Sequence, residues 1–422
     1  MRVVSELDPS RSLGKAKAAL ALIGIRLYVR YDGFALIVAG GDVPQPGVWV
    51  KSQEGYSAFV PSPLPPVLEW TREIVHAMSD ADRAIGRLAG EGRGLPNPHI
   101  LMRPFVAREA VLSSRIEGTQ ATLGELLAAE AGAIVDRSPE DLREVANYVV
   151  ALEHGIARLP ARGLTVSLLK EVHALLMREV RGGRAQPGKV RTIQNWIGLP
   201  GSTPHTAVYV PPPPARVPAL LRDLEGFLQD RSLPPLVQAA LAHVQFEAIH
   251  PFLDGNGRVG RLLVSLFLVD SGILPSPLLY LSAFFEATRT DYYTRLREVT
   301  SAGDWANWLI YFLNGVARQS EDAIDRAARM RDQLSAWQME LRGAGSDTPA
   351  RVLDLLAGNP FVTAKYVSDR LGIARTTATR AIAVLADRGI VSPVDARQRD
   401  RAHCATALLS ILEEPARLIA GQ

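Results

Sequence analysis

Residues 236–270 read LVQAALAHVQFEAIHPFLDGNGRVGRLLVSLFLVD, two apolar stretches separated by a short polar loop. Helical spacing of the apolar residues predicts one helix over Leu236–Ile249 and a second over Arg261–Asp270. The loop between them, His250–Arg261, contains a base, an acid, glycines, an amide and two arginines. This combination predicts a binding site for a nucleotide polyphosphate, because unpaired N–H groups at a helix N-terminus favour an anion.

The phosphate-binding part of this loop is predicted to be Gly255–Arg258 together with Arg261. Gly255 and Gly257 let the backbone approach a ligand closely, and Asn256 adds a side-chain donor. Arg258 and Arg261 are three residues apart, so both can face the same polyphosphate from one helical turn. Guanidinium groups bind phosphate through paired hydrogen bonds, which suits both arginines to this task.

His250 and Asp254 are the candidate reactive and metal-binding groups of the loop. His250 has an unperturbed pKa near neutrality, which makes it the candidate general base. Asp254 offers a hard oxygen ligand for Mg²⁺, which usually takes one or two protein carboxylates plus phosphate oxygens. Taken singly, these residues also fit a helix cap, a turn and a solvated face, and only their combination predicts a site.

The stretch HPFLDGNGRVGR resembles the signature of Fic proteins, His-x-Phe-x-Asp/Glu-Gly-Asn-Gly-Arg-x-x-Arg, and fills each of its fixed positions. The resemblance implies an enzyme that transfers AMP from ATP to a Ser, Thr or Tyr hydroxyl of a target protein. It implies that His250 deprotonates the hydroxyl and that Asp254 holds Mg²⁺. It also implies that residues 255–258 stabilise the α-phosphate as pyrophosphate leaves.

A second segment resembles a regulatory motif of the same family. Ser113-x-x-x-Glu117-Gly118 is similar to the inhibitory motif Ser/Thr-x-x-x-Glu-Gly/Asn of Fic proteins that carry an inhibitory helix before the core. The resemblance implies that Glu117 pairs with Arg261 and disturbs binding of the ATP γ-phosphate. Read alone, Glu117 would be an exposed carboxylate beside a glycine that ends a helix.

Residues 188–198, GKVRTIQNWIG, alternate in character and predict a short β-hairpin that ends before the proline run 211–214. Their position is similar to that of the Fic flap, a hairpin that holds a target segment by main-chain pairing. The resemblance assigns this contact to Thr192, Ile193 and Gln194. The alternative is an ordinary surface hairpin with Trp196 packed on the core.

Residues 289–296, RTDYYTRL, resemble the Fic segment that lines the adenine side of the pocket. The resemblance makes Tyr292 the candidate residue that stacks on the adenine ring. Aromatic residues at helical spacing more often belong to a core, which is the alternative for Tyr292.

Composition and pattern predict a mainly α protein of several domains. The chain has 422 residues, a mass of 45.8 kDa and 47% hydrophobic residues, which is enough for substantial cores. The expected fold is a Fic-type helical core with a β-hairpin flap and a C-terminal winged helix-turn-helix domain. The expected segments are an extension of unknown role (1–48), a helical region with the inhibitory helix (49–135), the Fic core (136–316), a helical connector and linker (317–346) and the winged helix domain (347–412).

The C-terminal pattern predicts helices over Pro349–Ala357, Ala364–Leu371 and Arg375–Arg388, followed by a two-stranded wing over Ile390–Thr406. The stretch TAKYVSDRLGIARTTATRAIAVLADRGIVSPV resembles a winged helix-turn-helix domain. The resemblance gives candidate DNA contacts on the recognition helix, at Arg375, Thr376, Thr379 and Arg380, and candidate phosphate contacts on the wing, at Arg397, Arg399 and Arg401.

The charge of this region agrees with an anionic partner. Residues 349–402 contain nine Lys or Arg and five Asp or Glu, a net charge of +4, against +3 for the whole chain. Lys and Arg side chains that contact phosphates supply the sequence-independent part of DNA affinity. The alternative is a protein-interaction or dimerisation module, because winged helices serve many functions.

The first 48 residues carry little functional signal. The apolar stretch 20–39 is interrupted by Arg26, Arg30 and Asp32, so a membrane span would bury charges. No small-residue cleavage pattern predicts a signal peptide. The single Cys404 excludes an intrachain disulfide, and together these features predict a cytoplasmic protein without a membrane partner.

The expected substrates and partners follow from the Fic resemblance. They are ATP with Mg²⁺, a protein that offers an acceptor hydroxyl, the protein itself as acceptor, DNA through the winged helix, and a second copy in a homodimer. Two other functions stay open: a DNA-binding regulator whose Fic core senses nucleotides, and a Fic enzyme that uses another nucleotide donor or removes AMP from proteins.

Overall fold

The computed structural model describes residues 26–30, 35–39, 45–94, 98–180, 186–342, 346–394 and 401–416. The chain divides into two compact units, Met1–Gln45 and Pro46–Gln422. In the first unit, strands β1 (Arg26–Arg30) and β2 (Ala35–Ala39) form an antiparallel pair with Arg26 opposite Ala39.

The second unit begins with an antiparallel hairpin, β3 (Gly47–Lys51) and β4 (Ser57–Pro61), in which Trp49 lies opposite Phe59. Helices follow up to the predicted linker: α1 (Arg72–Gly94), α2 (Pro98–Ile116), α3 (Leu123–Glu130), α4 (Pro139–Arg162), α5 (Val166–Leu176), α6 (Val217–Gln229), α7 (Pro235–Ile249), α8 (Asn256–Asp270), α9 (Ser282–Ala287), α10 (Arg289–Ala302) and α11 (Trp305–Glu340). The prediction of a mainly α fold is confirmed.

Helices α7 and α8 lie at the centre of this unit. Most residues on all faces of both helices are buried, including every residue from Leu236 to Phe246. A helix that is apolar all round must be covered by other helices, and α4 and α11 pack against this pair. The predicted helix over Leu236–Ile249 is confirmed, whereas the second helix begins at Asn256, five residues before the predicted start at Arg261.

The predicted hairpin before the proline run 211–214 is formed only in part. We call residues 188–214 the flap segment; its regular pairing is one antiparallel bridge between Ile197 and Tyr209. Side chains satisfy the neighbouring backbone instead, since Gln194 Nε2 donates to the carbonyls of Asn195 and Pro211. Four successive prolines at 211–214 also lack the N–H groups that a strand needs.

The winged helix region follows α11 in the chain and contains the three helices that the sequence predicts. It contains α12 (Thr348–Gly358), α13 (Ala364–Leu371), α14 (Arg375–Asp387) and α15 (Thr406–Glu413), with three short strands in the order β5 (Phe361–Val362), β7 (His403–Cys404) and β6 (Ser392–Pro393). The predicted bounds of α13 are matched at both ends. Arg397 and Arg399 of the predicted wing, and residues 343–345 of the predicted linker, lie outside the described residues.

The winged helix region packs directly on the segment that follows the predicted inhibitory helix. Buried Asn359 donates from Nδ2 to the carbonyl of Leu127 at 2.9 Å, and Thr363 Oγ1 donates to the carbonyl of Ala131 at 2.8 Å. Glu413 Oε1 accepts a hydrogen bond from the N–H of Gly124 at 3.0 Å. The apolar core therefore runs continuously from the helical core into the winged helix region.

The connector helix is longer than predicted. The prediction covers residues 317–341, whereas α11 begins at Trp305.

Within the described ranges, no helix is both long and apolar enough to span a membrane.

Candidate active site

His250 ends helix α7 and turns the chain into the polar loop. Its backbone is left-handed, with φ 48° and ψ 60°. The ring Nδ1 lies 3.3 Å from the carbonyl oxygen of Glu247, which can only accept, so Nδ1 carries the proton and Nε2 keeps its lone pair. Burial lowers the pKa of His250 to about 4. At neutral pH the imidazole is therefore an uncharged base.

The loop after His250 is held in shape by Asn256. Its Oδ1 accepts from the N–H of Phe252 at 2.8 Å, and its Nδ2 donates to the carbonyl of Phe252 at 2.9 Å. Asn256 therefore shapes the loop, in addition to being the predicted side-chain donor to phosphate. Gly255 precedes α8 with φ 76°, a conformation that glycine adopts without strain.

Asp254 lies on the rim of the loop with its side chain 55% exposed. Its Oδ1 accepts from the N–H of Gly255 at 2.6 Å and lies 3.8 Å from Nη2 of Arg258. A carboxylate that is half exposed beside a helix N-terminus fits a ligand for a phosphate-bound Mg²⁺. The described residues contain no group of three His, Cys, Asp or Glu side chains that could hold a metal ion by themselves.

His173 supports this loop, a role that its sequence context does not indicate. Its buried ring stacks on Phe252 with centroids 3.8 Å apart. Nε2 donates to the carbonyl of Asp254 at 3.1 Å, and Nδ1 accepts from the N–H of Gly188 at 2.8 Å. Burial lowers the pKa of His173 to about 4, so the ring stays neutral and keeps this donor and acceptor pattern. No spacing rule connects His173 to a loop so distant in sequence.

Arg258 is a buried cation with unused donors. It is 5% exposed, and its Nε and Nη1 have no hydrogen-bond partner within the described structure. Nη1 lies 3.7 Å from Oε2 of Glu144, which in turn accepts from the hydroxyl of Thr119. Buried donors without partners are costly, so an anion that reached Arg258 would be bound strongly.

Arg261 is held by the two residues of the predicted inhibitory motif. Its Nε donates to Ser113 Oγ at 2.8 Å, and its Nη2 donates to Glu117 Oε1 at 2.7 Å. Burial acts to raise the pKa of Glu117, but the charges of Arg261 and Arg258 outweigh it and hold that pKa below its usual value. Glu117 is therefore an anion paired with Arg261.

The Glu117 carboxylate occupies the N-terminus of α8. A Cβ atom at Gly257 would collide with Glu117 Oε1 and would lie 3.1 Å from Arg261 Nη1. Glycine at position 257 thus allows a carboxylate to contact the first turn of the helix. An anionic ligand drawn to the same helix end would compete with Glu117 for this position.

Glu247 is a second carboxyl group that the sequence analysis did not single out. Its Oε2 lies 4.0 Å from His250 Nδ1, and its buried Oε1 has no hydrogen-bond partner among the described atoms. Burial raises the pKa of Glu247 to about 8, so the group is largely uncharged at neutral pH.

Tyr292 is buried, which favours the core alternative over the predicted stacking role. It is 1% exposed, its ring lies 4.5 Å from that of Phe285, and its hydroxyl is 2.8 Å from Nε2 of buried His243. The core alternative applies because α10 turns this position towards α7 and α11. The neighbouring Tyr293 is 43% exposed, with the guanidinium of Arg289 over its ring.

The remaining predicted contacts are distributed over two exposed surfaces. Thr192 and Ile193 of the flap segment are exposed, whereas the Gln194 side chain is tied to backbone. The predicted DNA contacts all lie on the exposed side of α14: Arg375, Thr376, Thr379 and Arg380.

Comparison with known proteins agrees with this architecture. Residues 75–157 match the Fic/DOC family N-terminal region, residues 163–268 match the Fic/DOC family, and residues 346–401 match the MarR family. The fold is similar to a crystal structure of a Fic family protein from Desulfovibrio desulfuricans, with a TM-score of 0.55, 24% identity, and coverage of 81% of this chain and 98% of that one.

Curated relatives include protein adenylyltransferase fic-1 of Caenorhabditis briggsae, 33% identical over 225 residues, and its Caenorhabditis elegans counterpart, 32% identical. Each alignment covers 50% of this chain and 39% of the relative, so the chain spans about two fifths of their length. The two Fic/DOC family matches include Glu117, within residues 75–157, and the His250–Arg261 loop, within residues 163–268. The chain therefore contains the N-terminal and Fic regions of the Fic/DOC family, over residues 75–157 and 163–268, followed by a MarR family winged helix region.

Proposed function

We propose that this protein transfers AMP from ATP to a hydroxyl group of a protein. The observation that carries the proposal is the neutral imidazole of His250, with Nε2 free as a base, beside a helix N-terminus lined by Arg258 and Arg261. The relatives named protein adenylyltransferase support this reaction class.

In the proposed reaction, the acceptor hydroxyl oxygen attacks the α-phosphorus of ATP while His250 Nε2 takes its proton. The bond from the α-phosphorus to the bridging oxygen breaks, and pyrophosphate leaves. The N–H groups of the first turn of α8 and the unused donors of Arg258 stabilise the phosphate oxygens. Asp254 would hold Mg²⁺, which supplies further positive charge to the phosphates when bound.

We further propose that Glu117 restrains this activity. The carboxylate occupies the N-terminus of α8 and neutralises Arg261, so a γ-phosphate at the same place would meet a negative charge instead of a cation. ATP can then bind only in a position that leaves its α-phosphate out of line for attack.

The reaction is tested by incubating the protein and a cell lysate with ATP labelled at the α-phosphate and Mg²⁺. His250→Ala should abolish label transfer and leave ATP affinity within about threefold, because the imidazole acts on the incoming hydroxyl while other groups hold the phosphates. Label transfer at the parent rate in His250→Ala would refute the mechanism. Release of AMP from modified proteins would instead indicate an enzyme that removes AMP. Transfer from another nucleotide only would indicate a Fic enzyme with a different donor.

We propose a second function for the winged helix region, binding to duplex DNA. The exposed side of α14 carries Arg375 and Arg380 beside Thr376 and Thr379, and residues 349–402 have a net charge of +4. Binding to a DNA duplex should weaken steeply as salt concentration rises, and Arg375→Ala with Arg380→Ala should weaken it further. A flat salt response, or the same affinity in the double variant, would instead favour a role in protein interaction or dimerisation.

A further inference from the structure

We propose that Arg191 is a positioning residue for His250, because its guanidinium joins the backbone of the catalytic base and the backbone of the flap segment into one rigid unit. The proposal rests on the proposed function for its catalytic consequence. Its structural part stands on contacts within the chain.

The side chain of Arg191 reaches three separate stretches of backbone. Its Nε donates to the carbonyl of His250 at 2.8 Å, and its Nη2 donates to the carbonyl of Pro212 at 2.6 Å. Longer contacts of 3.4 Å reach the carbonyls of Ile249 and Ile193. Both sides of the flap segment and the end of α7 are therefore connected through one planar group.

The charge of Arg191 is balanced in an unusual way. The residue is 2% exposed, yet no described carboxylate forms an ion pair with it, and burial lowers its pKa to about 10. The acceptors at Ile249 and His250 are the last carbonyls of α7, which carry the negative end of the helix dipole. The cation thus stays charged at neutral pH and is stabilised by the helix end that presents the base.

This contact explains how His250 keeps its strained backbone. A residue other than glycine in the left-handed region costs roughly 1–2 kcal/mol and persists only where surrounding contacts fix it. The hydrogen bond from Arg191 Nε to the His250 carbonyl fixes the peptide group beside this φ of 48°. The main chain adds a further bond, from the N–H of Arg191 to the carbonyl of Pro251 at 2.9 Å.

A lysine cannot reproduce this arrangement. The guanidinium offers donors from Nε and both Nη atoms in fixed directions, whereas an ammonium is a single point from which the three stretches cannot be reached together. Asn195 Nδ2 donates to the carbonyl of Phe252 at 2.8 Å and has a longer contact of 3.5 Å with the carbonyl of His250, but it does not contact Pro212. Loss of Arg191 should therefore displace the imidazole more than the phosphate-binding turn.

The experiment compares Arg191→Lys and Arg191→Met in a Glu117→Gly parent, so that autoinhibition does not mask the result. Gln238→Leu is the matched control: Gln238 is equally buried near the other end of α7, and its side chain also binds backbone carbonyls, those of Phe227 and Asp230. For each protein, kcat and KM for ATP are measured by label transfer. The pKa of the His250 imidazole is measured in parallel by NMR, with the signal assigned from His250→Ala.

Both Arg191 variants should lower kcat between about tenfold and a hundredfold with KM for ATP within about threefold, because a small displacement of a base costs rate rather than ATP affinity. Arg191→Met should also raise the pKa of His250, since a nearby positive charge is lost, while Gln238→Leu should leave it unchanged. Unchanged kcat, or effects equal to those of Gln238→Leu, would overturn the positioning role. If the parent transfers no label, the proposed function fails. The positioning role is then tested by NMR alone, and an unchanged His250 pKa in Arg191→Met would overturn it.

Discussion

At the scale of single residues, burial decides which groups of the site carry charge. His250 and His173 are both held neutral, with pKa values lowered to about 4 by burial, and Glu247 is held largely neutral by a pKa raised to about 8. The charged groups near the helix N-terminus are Arg258 and Arg261 with the carboxylates of Glu117, Asp254 and Glu144. Of these carboxylates, Glu117 is the one that pairs with Arg261 and would compete with an incoming phosphate for it.

The low pKa of His250 predicts the acid limb of the pH profile. A general base works in its neutral form, which is fully populated well above a pKa of about 4 and is lost as pH falls through that value. The ratio kcat/KM for ATP of the Glu117→Gly protein should therefore stay flat from pH 7 to about pH 5 and fall at lower pH, because this ratio reports the pKa of the free enzyme. The measurement is initial label transfer from pH 4 to pH 7 at ATP concentrations well below KM, with circular dichroism to verify folding. A half-maximal rate near pH 6.5 would show that burial does not set this pKa.

At the scale of elements, the turn between α2 and α3 places the Glu117 carboxylate at the N-terminus of α8. Glu117 follows the last residue of α2, so its replacement by glycine leaves the helix intact. Glu117→Gly should free Arg261 for the γ-phosphate and raise the initial rate of label transfer and self-labelling by at least about tenfold, the effect of roughly 1.4 kcal/mol in a barrier. Adding Arg261→Ala should cancel the gain. An unchanged rate in Glu117→Gly, with ATP affinity also unchanged, would mean that another element restrains the enzyme.

At the scale of the whole molecule, the winged helix region is hydrogen-bonded to the two helices on either side of Glu117, α2 and α3. Asn359 and Glu413 bind the backbone of α3, and Arg108 of α2 donates to the carbonyl of Glu414 at 3.3 Å. The turn that carries Glu117 lies between these two helices. A partner that displaces the winged helix region would therefore also displace the turn that carries Glu117.

This coupling predicts the effect of weakening the contact. Asn359→Ala should raise label transfer severalfold while Glu117 is present, because α3 and the turn before it become freer to move. The same change in the Glu117→Gly protein should have no effect, since the restraint is already gone. Lys365→Ala, which removes an exposed ion pair with Asp369 on α13, is the matched control and should change neither protein. Equal stimulation in both backgrounds would refute the coupling.

The sequence by itself determined the helical core, the loop His250–Arg261, the Ser113 to Glu117 motif and the winged helix, because these depend on local periodicity, turn chemistry and a contiguous motif. The predictions from sequence differ from the structure where side chains form hydrogen bonds with backbone groups that are distant in sequence. In the flap segment, regular pairing is limited to the Ile197–Tyr209 bridge, while Arg191 and Gln194 donate to the carbonyls of Pro212 and Pro211 and Asn195 donates to that of Phe252. Secondary-structure propensity depends on residues that are close in sequence and does not include such contacts.

Only the tertiary structure decided which residues face the ligand and which support them. Asn256 turned inward to Phe252, Tyr292 entered the core beside His243, and Arg191 and His173 reached the loop from positions far away in sequence. Burial also set the protonation of His250 and Glu247, since desolvation depends on what packs around a group and not on its neighbours in sequence. A motif can thus specify the chemical groups of a site, while their orientation, charge and coupling to the rest of the molecule arise from contacts between distant segments.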